Sequence, residues 1–235
     1  MFIWCGHPGT GTSVPSIRAY HGTTLSFART IIAQQHIKIS RNDYDWLGRG
    51  AYFFQDGPLQ AWKWAAHWVG PKFSEPPAVV SADLDLTDCF DLLDLANWRF
   101  VLDAHQVYSA RFAASGRPLP TQRAPVVRAP NGQHFHVASP LPPSAGRPGR
   151  NLVDCAVIRL AVRRLRRLPV PLPINSVRGS FVQGQQLYDN SYFFDHSHVQ
   201  IAVLNPTAVA SNFVLEDSQL LAQKYALSGM TRWPV

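Results

Sequence analysis

Short periodic segments of hydrophobic residues predict the secondary structure of this chain. Five short segments predict strands, at 17–20, 51–54, 78–86, 177–182 and 198–204, and apolar residues alternate with polar or small ones along 78–86. Alternation of this kind is typical of half-buried β-strands. Helical spacing is found in three segments, at 26–35, 59–69 and 154–167. Strands separated by single helices and then by long connections predict an α+β fold with a split antiparallel sheet.

Residues at the ends of the helical segments support their assignment. Ser26 is a suitable N-cap for the first helix, and Pro58 opens the second. Asp154 is expected to cap the third helix, which carries a row of arginines and ends before Pro169.

Length and composition predict a single domain over residues 1–235. A chain of 235 residues with 46% hydrophobic content can bury one sizeable core. Residues 1–16, rich in Gly, Pro, Ser and Thr, are expected to form an irregular arm. Residues 114–150 hold many Pro, Gly, Ser and Arg without a sustained period, which predicts a long insertion.

The cysteines and the hydropathy indicate a compartment. Cys5, Cys89 and Cys155 are widely spaced and odd in number, which argues against a disulfide framework and against a metal site. The sequence has no run of eighteen apolar residues and no charged-then-apolar leader. We therefore expect a cytoplasmic protein without a membrane partner.

The basic residues are unevenly distributed along the chain. The net charge is +7, yet residues 99–178 contain thirteen Arg, no Lys and two Asp, which gives that segment +11. Arginine suits bidentate contacts to phosphate and stacking on bases. The distribution indicates a polyanionic target such as RNA or DNA, although a solvated basic surface would have the same composition.

Two motifs about thirty residues apart carry the candidate chemistry. Residues 20–24 read Tyr-His-Gly-Thr-Thr, and residues 48–54 read Gly-Arg-Gly-Ala-Tyr-Phe-Phe. A turn at His21 and Gly22 can present backbone groups to an amide ligand because glycine has no Cβ, while the imidazole bonds a sugar hydroxyl. Tyr52 supplies an aromatic face on a strand. The pair predicts a nicotinamide clamp.

The two motifs resemble the NAD-binding core of the ADP-ribosyltransferases of the diphtheria-toxin and poly(ADP-ribose) polymerase type, whose sites contain a His, a Tyr and a Glu. Five further segments look like a bacterial family of small ADP-ribosyltransferase-like proteins, which includes toxins and phage-defence proteins: 40–48, 82–89, 154–158, 177–181 and 198–203. The resemblance implies NAD as co-substrate, an antitoxin as a partner of the toxin members, and an ADP-ribosyltransferase-like form of the α+β fold.

The resemblance also implies roles for individual residues. His21 and Tyr52 match two members of the catalytic triad, and a second aromatic wall is expected from Trp62 or Trp64, ten and twelve residues after Tyr52. The expected NAD-binding residues are His21, Gly22, Thr23, Lys38, Arg41, Asn42, Tyr52 and Trp62.

The third catalytic position departs from the family pattern. The family has Glu-Gly after its Arg-Gly-x-Phe-x stretch, whereas this chain has Gln183 and Gly184 there. Glutamine keeps a hydrogen bond but loses the charge that opposes a developing cation, so we expect slow transfer. Gln183 is either a substitution introduced to silence a toxic enzyme or a natural divergence. Gln185 is a candidate for orienting the acceptor.

The sequence therefore predicts a mono-ADP-ribosyltransferase that modifies a macromolecule, with nucleic acid favoured over protein. The catalytic positions are His21, Tyr52 and Gln183. Two alternatives stay open: a non-catalytic module that binds NAD or ADP-ribose, and a basic nucleic-acid-binding protein in which the clamp is only architecture.

Overall fold

A computed structural model describes residues 16–120, 126–128, 134–136, 151–182, 186–189 and 191–229 of the chain. The predicted arm at 1–16 and insertion at 114–150 lie mostly outside these ranges. Ser16 is already part of the first strand, and Ala114 is the last residue of a helix, so both predicted segments overrun a neighbouring element by one residue.

The described chain alternates strands and helices. The strands are β1 (Ser16–Thr24), β2 (Ala51–Gln55), β3 (Pro77–Asp85), β4 (Cys89–Asp91), β5 (Val126–Arg128), β6 (His134–His136), β7 (Ser176–Phe181), β8 (His198–Val203) and β9 (Val214–Leu215). The α-helices are α1 (Leu25–Gln34), α2 (Pro58–Trp64), α3 (Gly70–Phe73), α4 (Trp98–Ala114), α5 (Leu152–Leu165) and α6 (Ser218–Leu227). A π-helical turn, Ala65–Val69, joins α2 to α3.

Seven of these strands form one open sheet in the order β4-β7-β8-β2-β1-β3-β9. All neighbouring strands are antiparallel except β4 and β7, which are parallel. The chain is therefore mixed α+β with a mostly antiparallel sheet, as the hydrophobic pattern predicts. β5 and β6 form a separate antiparallel pair.

Both faces of the sheet are covered by hydrophobic clusters. One face carries Ala19, Phe53, Val80 and Ile201 against α1. The other face is divided between two clusters, because α5 packs over the β7 side and α2 and α6 pack over the β1 side. Alternate residues of one strand therefore enter different clusters, as the pleat of a strand requires.

Five predicted strands are confirmed with small shifts of their ends, but β1 is longer than its pattern indicates. The prediction ended this strand at Tyr20 and placed His21, Gly22 and Thr23 in a turn. In the structure β1 pairs with β3 at nine positions, through Thr24 opposite Pro77. The prediction of a turn is wrong because pairing with the strongly apolar β3 keeps these residues extended.

Further expectations on helices need correction. The N-cap of α1 is Thr24, so Ser26 lies inside the helix instead of capping it. The helix predicted at 59–69 changes to π-helical geometry after Trp64. The N-cap of α5 is Asn151, so Asp154 lies in the first turn instead of capping the helix. The hydrophobic pattern did not predict α4, since Ala104 is its one fully buried residue and most of its surface faces solvent.

Candidate active site

The strands that carry the two motifs are neighbours in the sheet but separate at one end. β1 pairs with β2 at two positions, Ala19 with Gln55 and Tyr20 with Phe54. Beyond them β1 stays paired with β3, and β2 stays paired with β8. We call the place where the two strands part, at His21 and Gly22 of β1 and Tyr52 and Phe53 of β2, the fork.

His21 bridges the fork through its imidazole. Its Nδ1 lies 2.7 Å from the carbonyl oxygen of Tyr52. A carbonyl can only accept, so Nδ1 carries the hydrogen and Nε2 is left as an acceptor in the neutral ring. Burial lowers the pKa of His21, and the bond to Tyr52 opposes part of that shift. The neutral tautomer at pH 7 can therefore accept a hydrogen bond from a ligand hydroxyl.

Gly22 is a glycine because α2 packs directly on it. A Cβ built at this position would lie 2.1 Å from the carbonyl oxygen of Ala61 and 3.2 Å from the amide nitrogen of Ala65. The neighbouring Thr23 and Thr24 are buried, and the Thr24 side chain accepts a hydrogen bond from the Phe27 amide at the start of α1. Gly22 therefore allows α2 to approach β1 closely.

Tyr52 uses its hydroxyl to hold the preceding loop. The hydroxyl donates to the Gly48 carbonyl at 2.6 Å and accepts from the Leu47 amide at 2.9 Å. Its ring packs with the α5 cluster. Burial, together with the negative charge of Asp45, raises the pKa of Tyr52 well above its ordinary value. Tyr52 is thus a neutral phenol that connects the strand, the loop and the apolar layer under α5.

The loop at residues 40–49 is fastened at two more points. Ser40 donates to Asp45 at 2.7 Å. The Asp43 carboxylate accepts from Arg49 at 2.6 Å and from Arg159 of α5 at 2.7 Å, and these hydrogen bonds and charges lower its pKa. The loop is therefore tied to α5 by an exposed ion-pair cluster that salt would weaken.

Three of the residues predicted to bind NAD lie in or beside this loop. Lys38 and Arg41 are exposed. Asn42 is exposed too, and its side-chain amide donates to Asp45 at 3.4 Å. Two cationic side chains accessible to solvent near the fork are compatible with phosphate binding, but nothing in the structure brings them into contact with His21.

The two tryptophans proposed as a second aromatic wall have different environments. Trp62 is 8% exposed and belongs to the cluster with Phe54, Val79 and Leu221. Trp64 is 39% exposed, and its ring lies 5.8 Å from that of Trp68. Trp62 is therefore a core residue under α6, and the placement does not favour it as a wall of the site.

Gln183 and Gln185 lie outside the described residues, but the strand that leads to them is well placed. β7 ends at Phe181, whose ring contacts Trp46 at 4.1 Å and His198 at 5.8 Å between ring centroids. His198 in turn lies 4.9 Å from the ring of Phe54. An aromatic row therefore runs from the loop, across the end of β7, to the strand that carries Tyr52.

Sequence reasoning missed Gln200 of β8 as a candidate site residue. β8 lies directly beside β2, with Gln200 opposite Phe54 and Ala202 opposite Tyr52. Paired residues share a face of the sheet, so Gln200 lies on the same face as Tyr52. It is partly exposed. An alternating strand with one glutamine carried no signal for this role, because only the pairing of β8 with β2 brings the two residues together.

Sequence reasoning also missed that Lys63 of α2 is buried. It is 5% exposed, and its Nζ lies 6.0 Å from the ring centroid of Tyr225 in α6. Burial lowers the pKa of Lys63 to about 8, although the charge of Asp195 acts in the opposite direction. Nothing in the spacing of this helix distinguished a buried lysine from an exposed one.

Open cavities lie elsewhere on the molecule. One of about 280 Å³ is lined by residues that include Gln35 and Phe213, and one of about 620 Å³ by residues that include Arg166 and Leu204. Neither is lined by His21, Gly22 or Tyr52. The fork is a better candidate for the active site than these cavities, because it combines the imidazole of His21 with backbone groups of two separating strands.

Two kinds of feature are absent from the described ranges. No group of three or more His, Cys, Asp or Glu residues there is arranged to hold a metal ion. No helix there has the length and apolar character needed to cross a membrane. Comparison with protein-family models, with curated proteins and with solved structures finds no match to this chain.

Proposed function

We propose that this protein is a mono-ADP-ribosyltransferase that binds NAD at the fork and transfers ADP-ribose to a macromolecule. The observation that carries the proposal is the bridge across the fork, in which His21 donates from Nδ1 to the Tyr52 carbonyl at 2.7 Å. The bridge joins the two motifs on which the family resemblance depends, and it leaves Nε2 of a neutral imidazole as an acceptor for a ribose hydroxyl.

The proposed reaction breaks the bond between the anomeric carbon and nicotinamide. Nicotinamide leaves as a neutral molecule with the electron pair of that bond, and positive charge develops on the ribose. A lone pair of the acceptor then attacks the anomeric carbon, and the acceptor loses a proton to water. Binding of the ribose by His21 and of the nicotinamide beside Gly22 would hold the reacting atoms in place.

The position of the catalytic carboxylate has two candidates, Gln183 from the family resemblance and Gln200 from the sheet. Tyr52 pairs with Ala202 of β8, which pairs with Val177 of β7, so these three residues form one row across the sheet. Phe181 lies four residues beyond Val177, about 13 Å along β7. Gln200 is only two residues along β8 from that row. The register therefore makes Gln200 a second candidate for this position, on the same face of the sheet as Tyr52.

The acceptor is proposed to be a nucleic acid, with protein as the second choice. In the described chain, Arg163, Arg164 and Arg167 are exposed on or just after α5. Arginine phosphate contacts give affinity without sequence preference. We propose that the protein acts as a toxin or defence effector and has a cognate antitoxin.

Restoring the carboxylate tests the proposal. Gln183→Glu and Gln200→Glu would each be purified and given NAD, with nicotinamide release measured by chromatography. We expect one of them to release nicotinamide at least about tenfold faster than the unmodified chain, because a charge at this position stabilises the oxocarbenium ion. Gln34→Glu, the same change at an exposed position of α1, is the matched control and should have no effect.

The outcomes separate the alternatives. Adding His21→Ala to the faster variant should abolish release, since the ribose contact is lost. Calorimetric binding of NAD without release by any variant would select the non-catalytic module. Absence of NAD binding in all variants would overturn the proposal and leave the nucleic-acid-binding protein.

A further inference from the structure

A hairpin in the connection between β7 and β8 exposes large aromatic side chains. It consists of residues 186–189 and 191–194, and we call it the tyrosine hairpin. Tyr192 is 95% exposed, Phe193 66%, Tyr188 64% and Leu187 50%. Exposed apolar side chains of this size on a short loop reduce solubility, so their presence indicates an interaction site.

The hairpin is built to hold these side chains outward. Gln186 pairs with Phe194, and the Leu187 amide donates to the Phe193 carbonyl at 3.0 Å. Gln186 Nε2 also donates to the Ser191 carbonyl at 2.7 Å, and the Phe193 amide donates to Ser191 Oγ at 2.9 Å. Ser191 is buried. Hydrogen bonds around the buried Ser191 thus hold the backbone, so less of the backbone has to be ordered when a ligand binds.

The hairpin leads directly into the candidate site. Four residues after Phe194 the chain enters β8 at His198, whose ring contacts Phe54 two residues from Tyr52. On the far side of the aromatic row, Trp46 belongs to the loop that Asp43 ties to Arg159 of α5. Ring contacts therefore join His198, where the chain from the hairpin enters β8, to Phe54 of β2 and, through Phe181, to Trp46 of the loop that is tied to α5.

α5 supplies positive charge at the other end of this path. Arg163, Arg164 and Arg167 are exposed, and among the described residues none of the three forms an ion pair with an acidic side chain. Arg159 and Arg166 have other partners, Asp43 and the Ile174 carbonyl. We call Arg163, Arg164 and Arg167 the arginine face.

We propose that the tyrosine hairpin and the arginine face together bind a single-stranded nucleic acid, with an unpaired base stacked on Tyr192 or Tyr188 and the phosphates on the arginines. Stacking platforms combined with basic tracks are the physical basis of single-strand binding. The role of this surface rests on the proposed function, because the bound strand would present an acceptor base or ribose to the fork. Arginine with tyrosine favours this ligand over an anionic membrane, since both side chains stack on bases.

Fluorescence anisotropy without NAD tests the hairpin. The probe is a labelled single-stranded RNA of about 12 nucleotides. We expect Tyr192→Ala with Tyr188→Ala to weaken binding at least about tenfold, and Tyr192→Phe to keep most of it because the ring is retained. Phe27→Ala, which removes an exposed ring from α1, is the matched control and should bind as the unmodified chain does.

The salt dependence tests the arginine face. Between about 50 and 200 mM salt, the triple change Arg163→Ala, Arg164→Ala and Arg167→Ala should reduce the slope of log K against log salt by about 2. Arg29→Ala, Lys72→Ala and Lys224→Ala together remove the same charge from other exposed positions and should leave the slope unchanged. Equal slopes for the two triple variants would overturn the assignment to α5.

Two further results would overturn the proposal. Binding of the matching duplex as tight as that of the single strand would exclude base stacking. Binding to phosphatidylserine vesicles that is lost in the hairpin variant, with no RNA binding, would assign the surface to a membrane. Failure of NAD cleavage with RNA binding intact would contradict the proposed function alone, and NAD cleavage without RNA binding would contradict this inference alone.

Discussion

The fork and the tyrosine hairpin use their side chains in opposite ways. At the fork, His21 bonds to the Tyr52 carbonyl, Tyr52 bonds to the loop, and Gly22 is covered by α2. On the hairpin, the side chains of Tyr188, Tyr192 and Phe193 are directed to solvent while hydrogen bonds hold the backbone.

This contrast separates stability from recognition. The groups of the fork are buried and mutually dependent, so a change there costs folding free energy as well as any activity. Changes to exposed side chains are expected to cost little stability and to alter binding only. If the fork carries the stability that its contacts imply, substitutions at Gly22 and Tyr52 should cost more stability than substitutions at exposed positions.

Gly22→Ala should have the largest effect. The added methyl group would meet the Ala61 carbonyl oxygen at 2.1 Å, so the backbone of α2 has to move away from β1. We expect the free energy of unfolding, measured with urea, to fall by about 3 kcal/mol or more. At Gly116 no atom lies within 4 Å of an added Cβ, so Gly116→Ala should cost only about 1 kcal/mol, from its positive φ. Equal losses in the two variants would contradict the close approach.

His198→Phe should change how stability depends on pH. Burial lowers the pKa of His198 from 6.5 to about 4, so folding favours its neutral form. That contribution is complete above pH 6.5 and is lost as the pH falls towards 4. Relative to the Phe variant, the unmodified chain should lose about 3 kcal/mol of unfolding free energy between pH 7 and pH 4.

The comparison of the two chains isolates this residue, because all other titrating groups are common to both. His198 Nδ1 also donates to the His196 carbonyl at 2.6 Å, and the loss of this bond in the Phe variant is independent of pH while the ring stays neutral. A constant difference between the two urea midpoints from pH 7 to pH 4 would contradict burial of the imidazole.

Tyr52→Phe should have a smaller effect, on the loop at residues 40–49. The change leaves the Leu47 amide and the Gly48 carbonyl without their partner, and both residues are buried. We expect the free energy of unfolding to fall by about 1 to 3 kcal/mol and the loop amides to exchange hydrogen faster. Tyr108→Phe on α4 removes a hydroxyl that forms no hydrogen bond with another residue in the part of the chain that the structure describes, and it should change stability by less than about 0.5 kcal/mol.

Much of the fold was predictable from residue patterns, and less of the site. Short apolar segments marked five strands because both faces of the sheet are covered by hydrophobic clusters, whereas the mostly exposed α4 gave no comparable signal. The motifs identified His21 and Tyr52, but the extended conformation at Gly22 depends on β3, which is more than fifty residues away in sequence. Trp62 and Lys63 are neighbours in one helix, and only the packing of α6 shows that both are buried.

The sequence by itself determined the α+β class, the strands that carry the two motifs, and the concentration of arginine between residues 99 and 178. These follow from local periodicity and composition. Only the tertiary structure decided that β1 and β2 part at His21, that Gln200 shares the face of Tyr52, and that the ring of His198, at the start of the strand that follows the tyrosine hairpin, contacts Phe54. Those relations depend on strand order and register, which arise from contacts between residues far apart in the chain.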